Sequence, residues 1–121
     1  MGGTTESTRD PIANTNDDAL YQSGRTGTFS YRFDVPNGLY DVILHFAEIY
    51  HTAAGKRSFD VLIEGALVLD NFDVYAAAGH DAAVTRVFPG VSVQDGQLTI
   101  NFVTVKDKAK VSAISVSTSP P

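Results

Sequence analysis

The chain has 121 residues, a formal net charge of −5 and neither cysteine nor tryptophan. That length fits one domain with a hydrophobic core large enough to fold without disulfides or metal ions. The content of 43% hydrophobic and 19% charged residues is typical of a globular protein rather than a disordered one. The lack of cysteine excludes thiolate zinc sites, iron–sulfur clusters and cysteine nucleophiles. The acidic balance argues against a nucleic-acid partner, and no apolar run approaches the roughly 20 residues of a membrane span.

From residue 28 onward, short apolar and β-branched runs alternate with turn residues, which is the pattern of β-strands. Residues 39–50 are apolar on much of both faces, so we expect a central strand there. Glu64-Gly65 and Asp95-Gly96 have the turn chemistry of hairpins, and Pro89-Gly90 marks a further turn. The predicted strands cover residues 28–35, 39–50, 59–63, 67–72, 83–88, 91–93, 98–105 and 110–117.

Strands at roughly ten-residue spacing, without a long amphipathic helix, predict an all-β fold. The expected architecture is an antiparallel β-sandwich of the jelly-roll, galactose-binding-like type. Residues 1–117 form the single predicted domain, in which residues 1–19 are an irregular polar segment. Residues 118–121 have the composition of the start of an extended linker, so we interpret the chain as one module of a larger protein.

The histidines invite a metal interpretation that their spacing does not support. His45 and His51 are six positions apart, about 20 Å along an extended strand, which is too far for one ion. His80-Asp81 follows a glycine and is more typical of a turn pair than of a functional site. Loop carboxylates can hold a structural calcium ion in such folds, but no ligand spacing here supports one, and we predict no cofactor.

Carboxylates are the other candidates for chemistry. A glycosidase needs two of them facing each other across a cleft. Glu48, Asp60, Asp73 and Asp107 qualify by residue type alone, and their spacing selects no pair. The sequence therefore does not predict an enzyme.

Tyr50 ends a predicted strand and is followed by His51 and a loop of small residues. An exposed tyrosine there offers a flat apolar face and a hydroxyl group, which suits a sugar ring. A strand-end tyrosine that covers the core would have the same pattern. The residues alone leave these two interpretations open.

A longer stretch of sequence is more specific. Residues 39–50 (LYDVILHFAEIY) and 55–65 (GKRSFDVLIEG) resemble the central part of the malectin family. The resemblance extends in order, with sensible gaps, over about residues 14–117. Further matching segments are residues 16–22, 68–74, 78–79, 95–100 and 109–114.

The resemblance implies a β-sandwich that binds an oligosaccharide or polysaccharide and performs no catalysis. It places the family's adjacent aromatic pair on Tyr50 and His51 and its binding aspartate on Asp107. Tyr50 would stack on a sugar face, and Asp107 would accept hydrogen bonds from hydroxyl groups. Bacterial and plant relatives of this kind imply a secreted or cell-surface module.

The sequence also departs from the family. We find no counterpart of its N-terminal strand, no aromatic residue near Thr26 or Gly27, and histidine in place of phenylalanine at His51. A missing strand would leave a sheet edge unpaired and invite homodimerisation. The lost aromatics favour an alternative function, a structural or protein-interaction module on the same fold.

Overall fold

The computed structural model describes residues 2–120, which consist mainly of antiparallel strands. The elements in chain order are β1 (Thr4–Ser7), α1 (Asp18–Tyr21), β2 (Ser23–Gly27), β3 (Phe29–Asp34), β4 (Gly38–Ala47), β5 (Ser58–Ile63), β6 (Ala66–Phe72), α2 (Val74–Ala78), β7 (Ala83–Val93), β8 (Gln97–Lys106), β9 (Ala109–Val111) and β10 (Ala113–Thr118).

The strands form two main sheets and one small sheet. A three-stranded sheet has the order β10-β4-β7, and a four-stranded sheet has the order β3-β8-β5-β6. The small sheet, β1-β2-β9, is joined to the others through β9 and its neighbours. All pairings within these sheets are antiparallel, which confirms the predicted β-sandwich.

The core lies between the two main sheets and follows from the period-2 pattern of the strands. On β4, alternate side chains point inward, and Phe46 packs against Phe59 and Phe72 of the opposite sheet at ring-centroid distances of 5.8 and 5.1 Å. The central position predicted for β4 is confirmed, since β10 and β7 flank it. Fully buried members of this core include Val42, Leu44, Phe46, Phe59, Val61, Leu98, Ile100 and Phe102.

Of the two predicted hairpin turns, one is confirmed and the other is wrong. Glu64 and Gly65 have φ values of 52° and 78°, as expected for a two-residue hairpin turn between β5 and β6. Residues 94–96 do not close a hairpin, because β7 pairs with β4 whereas β8 pairs with β3 and β5. This turn crosses between the sheets, and its Gly96 N–H donates to the Asn37 side chain at 2.8 Å.

Pro89-Gly90, which was also predicted to be a turn, does not separate two strands. Both residues lie inside β7, opposite an irregularity of register between Tyr40 and Val42. Asp41, which falls in that irregularity, accepts the Gly90 N–H at 3.1 Å. The proline and glycine therefore mark a bulge rather than a reversal of the chain.

The N-terminal region contains strands that the sequence did not predict. Residues 4–7 form β1, not an irregular segment, and they pair with β2 in register Thr4 to Thr26. Both strands consist largely of serine, threonine and glycine, so no hydrophobic alternation reveals them. Because β1 pairs with β2, the sheet edge that was expected to be open is covered there. Homodimerisation through a missing first strand is therefore not supported.

The predicted last strand is divided into β9 and β10. β9 pairs with β2, whereas β10 pairs with β4. β10 continues through Thr118, and the Ser119 N–H donates to the Leu39 carbonyl at 2.9 Å, so residues 118–119 are still attached to the sheet. No helix among residues 2–120 is long and apolar enough to cross a membrane.

Candidate functional site

The turn that follows β4 is shaped by a buried carboxylate. Glu48 is fully buried, and its Oε2 accepts the backbone N–H groups of Tyr50 and His51, both at 3.3 Å. These bonds hold the backbone of the turn on the buried carboxylate. Tyr50, within this turn, is 71% exposed.

Glu48 is paired with two buried cations. Arg57 Nε donates to Glu48 Oε1 at 2.6 Å and Nη2 donates to Oε2 at 3.2 Å, a bidentate geometry. Lys110 Nζ lies 3.9 Å from Glu48 Oε2 and forms an ion pair with Glu6 on β1. This buried charge cluster, Glu6–Lys110–Glu48–Arg57, underlies the turn and joins β1 and β9 to the end of β4.

Opposing effects set the pKa values within the cluster. Burial raises the pKa of Glu48, but the hydrogen bonds and charge of Arg57 and the charge of Lys110 outweigh burial, so the pKa lies below its ordinary value. Burial lowers the pKa of Lys110, and the carboxylates of Glu6 and Glu48 oppose that shift without cancelling it.

Asp107 lies in the turn between β8 and β9 with a φ of 61°, a conformation that aspartate tolerates better than most residues. Arg57 Nη1 donates to the carbonyl of the neighbouring Lys108 at 2.6 Å and so fixes this turn. His51 Nε2 donates to Asp107 Oδ2 at 2.6 Å. Arg57 Nη2 is 3.9 Å from the same carboxylate oxygen.

These groups border an open groove with a volume of 360 Å³. The exposed ring of Tyr50 and the carboxylate of Asp107 lie along it, and the side of β1 forms one of its walls. The groove thus combines an aromatic surface, carboxylates, hydroxyl groups and a lysine. Its lining residues are Thr4, Thr5, Glu6, Thr26, Tyr50, Arg57, Asp107 and Lys108.

The structure brings the three predicted site residues together. Tyr50 and Asp107 line the groove, whereas His51 stands behind it, edge-on to Tyr50 at a ring-centroid distance of 4.8 Å. Their roles in binding stay predictions. Thr26, the region where the family's further aromatic residue was expected, also lies in the groove, where its hydroxyl is 3.3 Å from that of Thr4.

Sequence reasoning missed several residues of the groove. Glu6 lies in a segment that was expected to be irregular, and Arg57 lies in a loop without a functional motif. Glu48 was considered only as a carboxylate by residue type, whereas the structure makes it the organiser of the Tyr50 turn. An arginine and a glutamate at strand ends could have suggested a buried pair, but nothing in their spacing identifies the partners.

His45 plays a different part. Its Nδ1 is 2.8 Å from the Tyr21 hydroxyl and its Nε2 is 3.0 Å from Ser115 Oγ, so it joins α1 to the face of β4. Burial lowers its pKa.

A second cleft, of 350 Å³, lies between β3 and the final strands and is lined in part by Tyr31, Phe33 and Ile114. Its arginine, Arg25, is already engaged, since Nε donates to the Tyr31 hydroxyl at 3.1 Å. We favour the groove beside Tyr50 as the functional site because its lining is more polar.

The fold and the groove together define a lectin-like β-sandwich. The chain belongs to the malectin family, since the family model described as Malectin domain matches residues 2–120. This confirms the resemblance inferred from the sequence.

Curated relatives include Malectin-A of Xenopus laevis, which is 32% identical over 91 residues, covering 73% of this chain and 33% of that protein. Human Malectin is 31% identical over 91 residues, covering 73% of this chain and 31% of that protein. This chain therefore spans about a third of the length of these relatives.

Solved structures of similar fold include a β-glucuronidase of Bacteroides uniformis, with a TM-score of 0.90 and 24% identity. The match covers 98% of this chain but 14% of the enzyme. The ANX2 ectodomain of Arabidopsis thaliana has a TM-score of 0.81 and 12% identity, over 94% of this chain and 39% of the receptor chain. At these identities the likeness shows the fold alone.

Proposed function

We propose that the groove beside Tyr50 binds a carbohydrate chain and that the domain performs no chemical step on it. The observation that carries the proposal is the placement of Tyr50, a residue that is 71% exposed beside the oriented carboxylate of Asp107. Membership of a family of lectin-like domains supports it.

The chemistry of the groove suits a sugar. A pyranose ring has apolar C–H faces, which stack on an aromatic ring, and hydroxyl groups, which donate to carboxylates. Tyr50 supplies the aromatic surface, and Asp107 and Glu6 supply acceptors. Because one exposed aromatic ring limits the stacking area, we expect a dissociation constant of about 10 μM to 1 mM.

We also propose that the ligand is a glucose-containing or other plant or microbial oligosaccharide and that the domain is carried outside the cell by a larger protein. The support is that solved structures of similar fold are parts of larger proteins, a β-glucuronidase chain and a receptor ectodomain. Neither relative identifies the glycan.

The test is a titration of the purified domain with maltose, nigerose and a panel of soluble glucans, followed by amide NMR shifts. We expect shifts confined to residues near Tyr50, His51 and Asp107. Tyr50→Ala should weaken binding by about tenfold, equivalent to about 1.4 kcal/mol, because the stacking surface is lost. Tyr50→Phe should bind with little change, because it keeps the ring.

Leu67→Ala is a matched control, because Leu67 is also exposed but lies beside the β5–β6 turn and outside the groove. Unchanged spectra at millimolar sugar, with a folded sample, would contradict the proposal. Equal losses in Tyr50→Ala and Leu67→Ala would show that the effect is not local to the groove.

A second candidate function is the binding of a protein or peptide. The observation that favours it is a solved structure of the plant peptide RALF23 in complex with FER and LLG2, whose fold matches with a TM-score of 0.77. Its 16% identity carries no ligand over to this chain. Failure of every sugar in the panel would favour this candidate.

A further inference from the structure

A second cluster of polar side chains lies outside the groove, where the segment after β1 meets the segment before β7. Asp10, His80 and Asp81 each offer one nitrogen or oxygen atom, and the three atoms lie within 4.8 Å of one another. His80 Nε2 is 3.3 Å from Asp81 Oδ2.

The hydrogen bond of His80 determines which of its two ring nitrogens is protonated. The other nitrogen, which lies in the cluster, then has a free lone pair. Its Nδ1 is 2.9 Å from the backbone carbonyl of His51, which can only accept a hydrogen bond. Nδ1 must therefore carry the proton, and in the neutral ring Nε2 is then an unprotonated acceptor. A histidine that ligates a metal is held in this way, with its other N–H on a carbonyl group.

The carboxylate of Asp81 is only partly satisfied. Its Oδ1 is buried and has no hydrogen-bond partner among residues 2–120, and its side chain is only 15% exposed. Three acceptors thus face each other around a point that a cation would neutralise.

The backbone around the cluster is held in place by hydrogen bonds to other elements. The Asp81 N–H donates to the Glu48 carbonyl at 2.8 Å, and the Asp81 carbonyl accepts from the Ala13 N–H at 2.8 Å. Gln22 Nε2 donates to the Asp10 carbonyl at 3.0 Å. The three side chains therefore project from fixed backbone positions rather than from freely moving loops.

We propose that Asp10, His80 and Asp81 bind one divalent transition-metal ion of the zinc type. Zinc favours imidazole and carboxylate ligands about 2.0–2.2 Å away, which leaves neighbouring ligand atoms about 3.3 Å apart, as His80 and Asp81 are. Three protein ligands leave a fourth position for water, on the side where His80 is 31% exposed. The nitrogen ligand disfavours calcium and magnesium, which prefer oxygen alone.

Calorimetric titration of the chelator-treated domain with zinc chloride tests the proposal. We expect one ion per chain, and no comparable binding of calcium or magnesium chloride. His80→Gln and Asp81→Asn should each weaken zinc binding by more than about tenfold. Asp18→Asn is the matched control, because it removes the same charge from a half-buried position outside the cluster and should leave zinc binding unchanged.

His51 and Asp107 are the competing pair for zinc. Binding that survives His80→Gln but is lost in His51→Gln would overturn the proposal, as would the absence of binding to the native domain. If a variant fails to fold, NMR of the histidine rings in the unaltered domain provides an alternative test. Zinc should then shift the His80 ring signals of the unaltered domain, and shifts confined to His45 or His51 would contradict the assignment.

Discussion

His51 and Asp107 are 56 positions apart in the sequence, and their side chains share a hydrogen bond of 2.6 Å. Asp107 is 36% exposed whereas His51 is only 16% exposed, so the histidine supports the carboxylate from behind. A phenylalanine at this position could not do so, since it has no hydrogen-bond donor. Histidine at this position therefore orients the Asp107 carboxylate.

This relationship predicts that His51→Ala weakens sugar binding although His51 does not line the groove. Without the Nε2 donor, Asp107 is free to rotate, and a hydrogen bond to a charged group contributes about 1.5 kcal/mol, or about tenfold in Kd. The measurement is the dissociation constant from the NMR titration.

His51→Gln retains a donor on a side chain of similar reach and should recover part of the affinity. His45→Gln removes the same ring from a position outside the groove and serves as the control. If His51→Ala and His45→Gln weakened binding equally, the specific role of the His51–Asp107 bond would be refuted.

The buried pair of Glu48 and Arg57 predicts a large loss of stability in Glu48→Gln. The substitution keeps the shape but removes the charge that neutralises Arg57 and Lys110, which are 3% and 1% exposed. Removing one partner of a buried ion pair costs about 3–5 kcal/mol. Urea unfolding followed by circular dichroism measures this change in the free energy of unfolding.

Glu64→Gln is the control for that measurement. Glu64 also accepts a backbone N–H, from Thr99 at 2.7 Å, but within residues 2–120 it forms no ion pair with a buried cation. We expect it to lose much less stability than Glu48→Gln. A loss of under about 1 kcal/mol in Glu48→Gln would mean that the buried cluster is not coupled to folding as described.

The sequence predicts the main sheets of this domain well because apolar residues that face the core alternate with more polar residues along their strands. Residues of β4 such as Val42, Leu44 and Phe46 show this alternation directly. β1 and β2 show no such alternation, because residues such as Thr4, Thr5 and Gly24 are as typical of a loop as of a polar strand. Turn chemistry is a weaker guide than periodicity. Glu64-Gly65 closes a hairpin, Pro89-Gly90 forms a bulge inside β7, and residues 94–96 join strands of different sheets.

The candidate site is predictable only in part, for a related reason. Tyr50 and Asp107 could be placed because a continuous family resemblance carries them. Glu6 and Arg57 could not, because their importance arises from contacts over long sequence separations. The bond between Arg57 and the Lys108 carbonyl spans 51 positions, and no local pattern encodes it.

Two groups predict how stability depends on pH. The pKa of His45 is lowered from 6.5 by burial, so below about pH 6.5 the unfolded chain binds its proton more readily than the folded domain. The pKa of Glu48 lies below 4.5, because its cationic partners outweigh burial, so the stability it provides at neutral pH is lost as the pH falls below about 4.5. Both effects destabilise the domain in acid.

Urea midpoints measured between about pH 8 and pH 4 test this pH dependence. His45→Gln should flatten the decline that begins near pH 6.5 and leave the decline below pH 4.5 in place. A steep decline near pH 6.5 that persists in His45→Gln would assign the upper window to another group.

The ion pair between Glu6 and Lys110 predicts that β1 contributes to the stability of the whole domain. Glu6→Ala leaves the Lys110 ammonium group buried, with Glu48 at 3.9 Å as its remaining ion-pair partner among residues 2–120, and should lower the free energy of unfolding by about 2 kcal/mol. Ser7→Ala alters an exposed position of the same strand and should change the stability by less than about 0.5 kcal/mol. Urea unfolding of both variants, with the m-value compared between them, measures the difference. If Glu6→Ala and Ser7→Ala had the same unfolding midpoint, β1 would contribute nothing through Lys110, and the wall that it forms beside Tyr50 would not be anchored to the core.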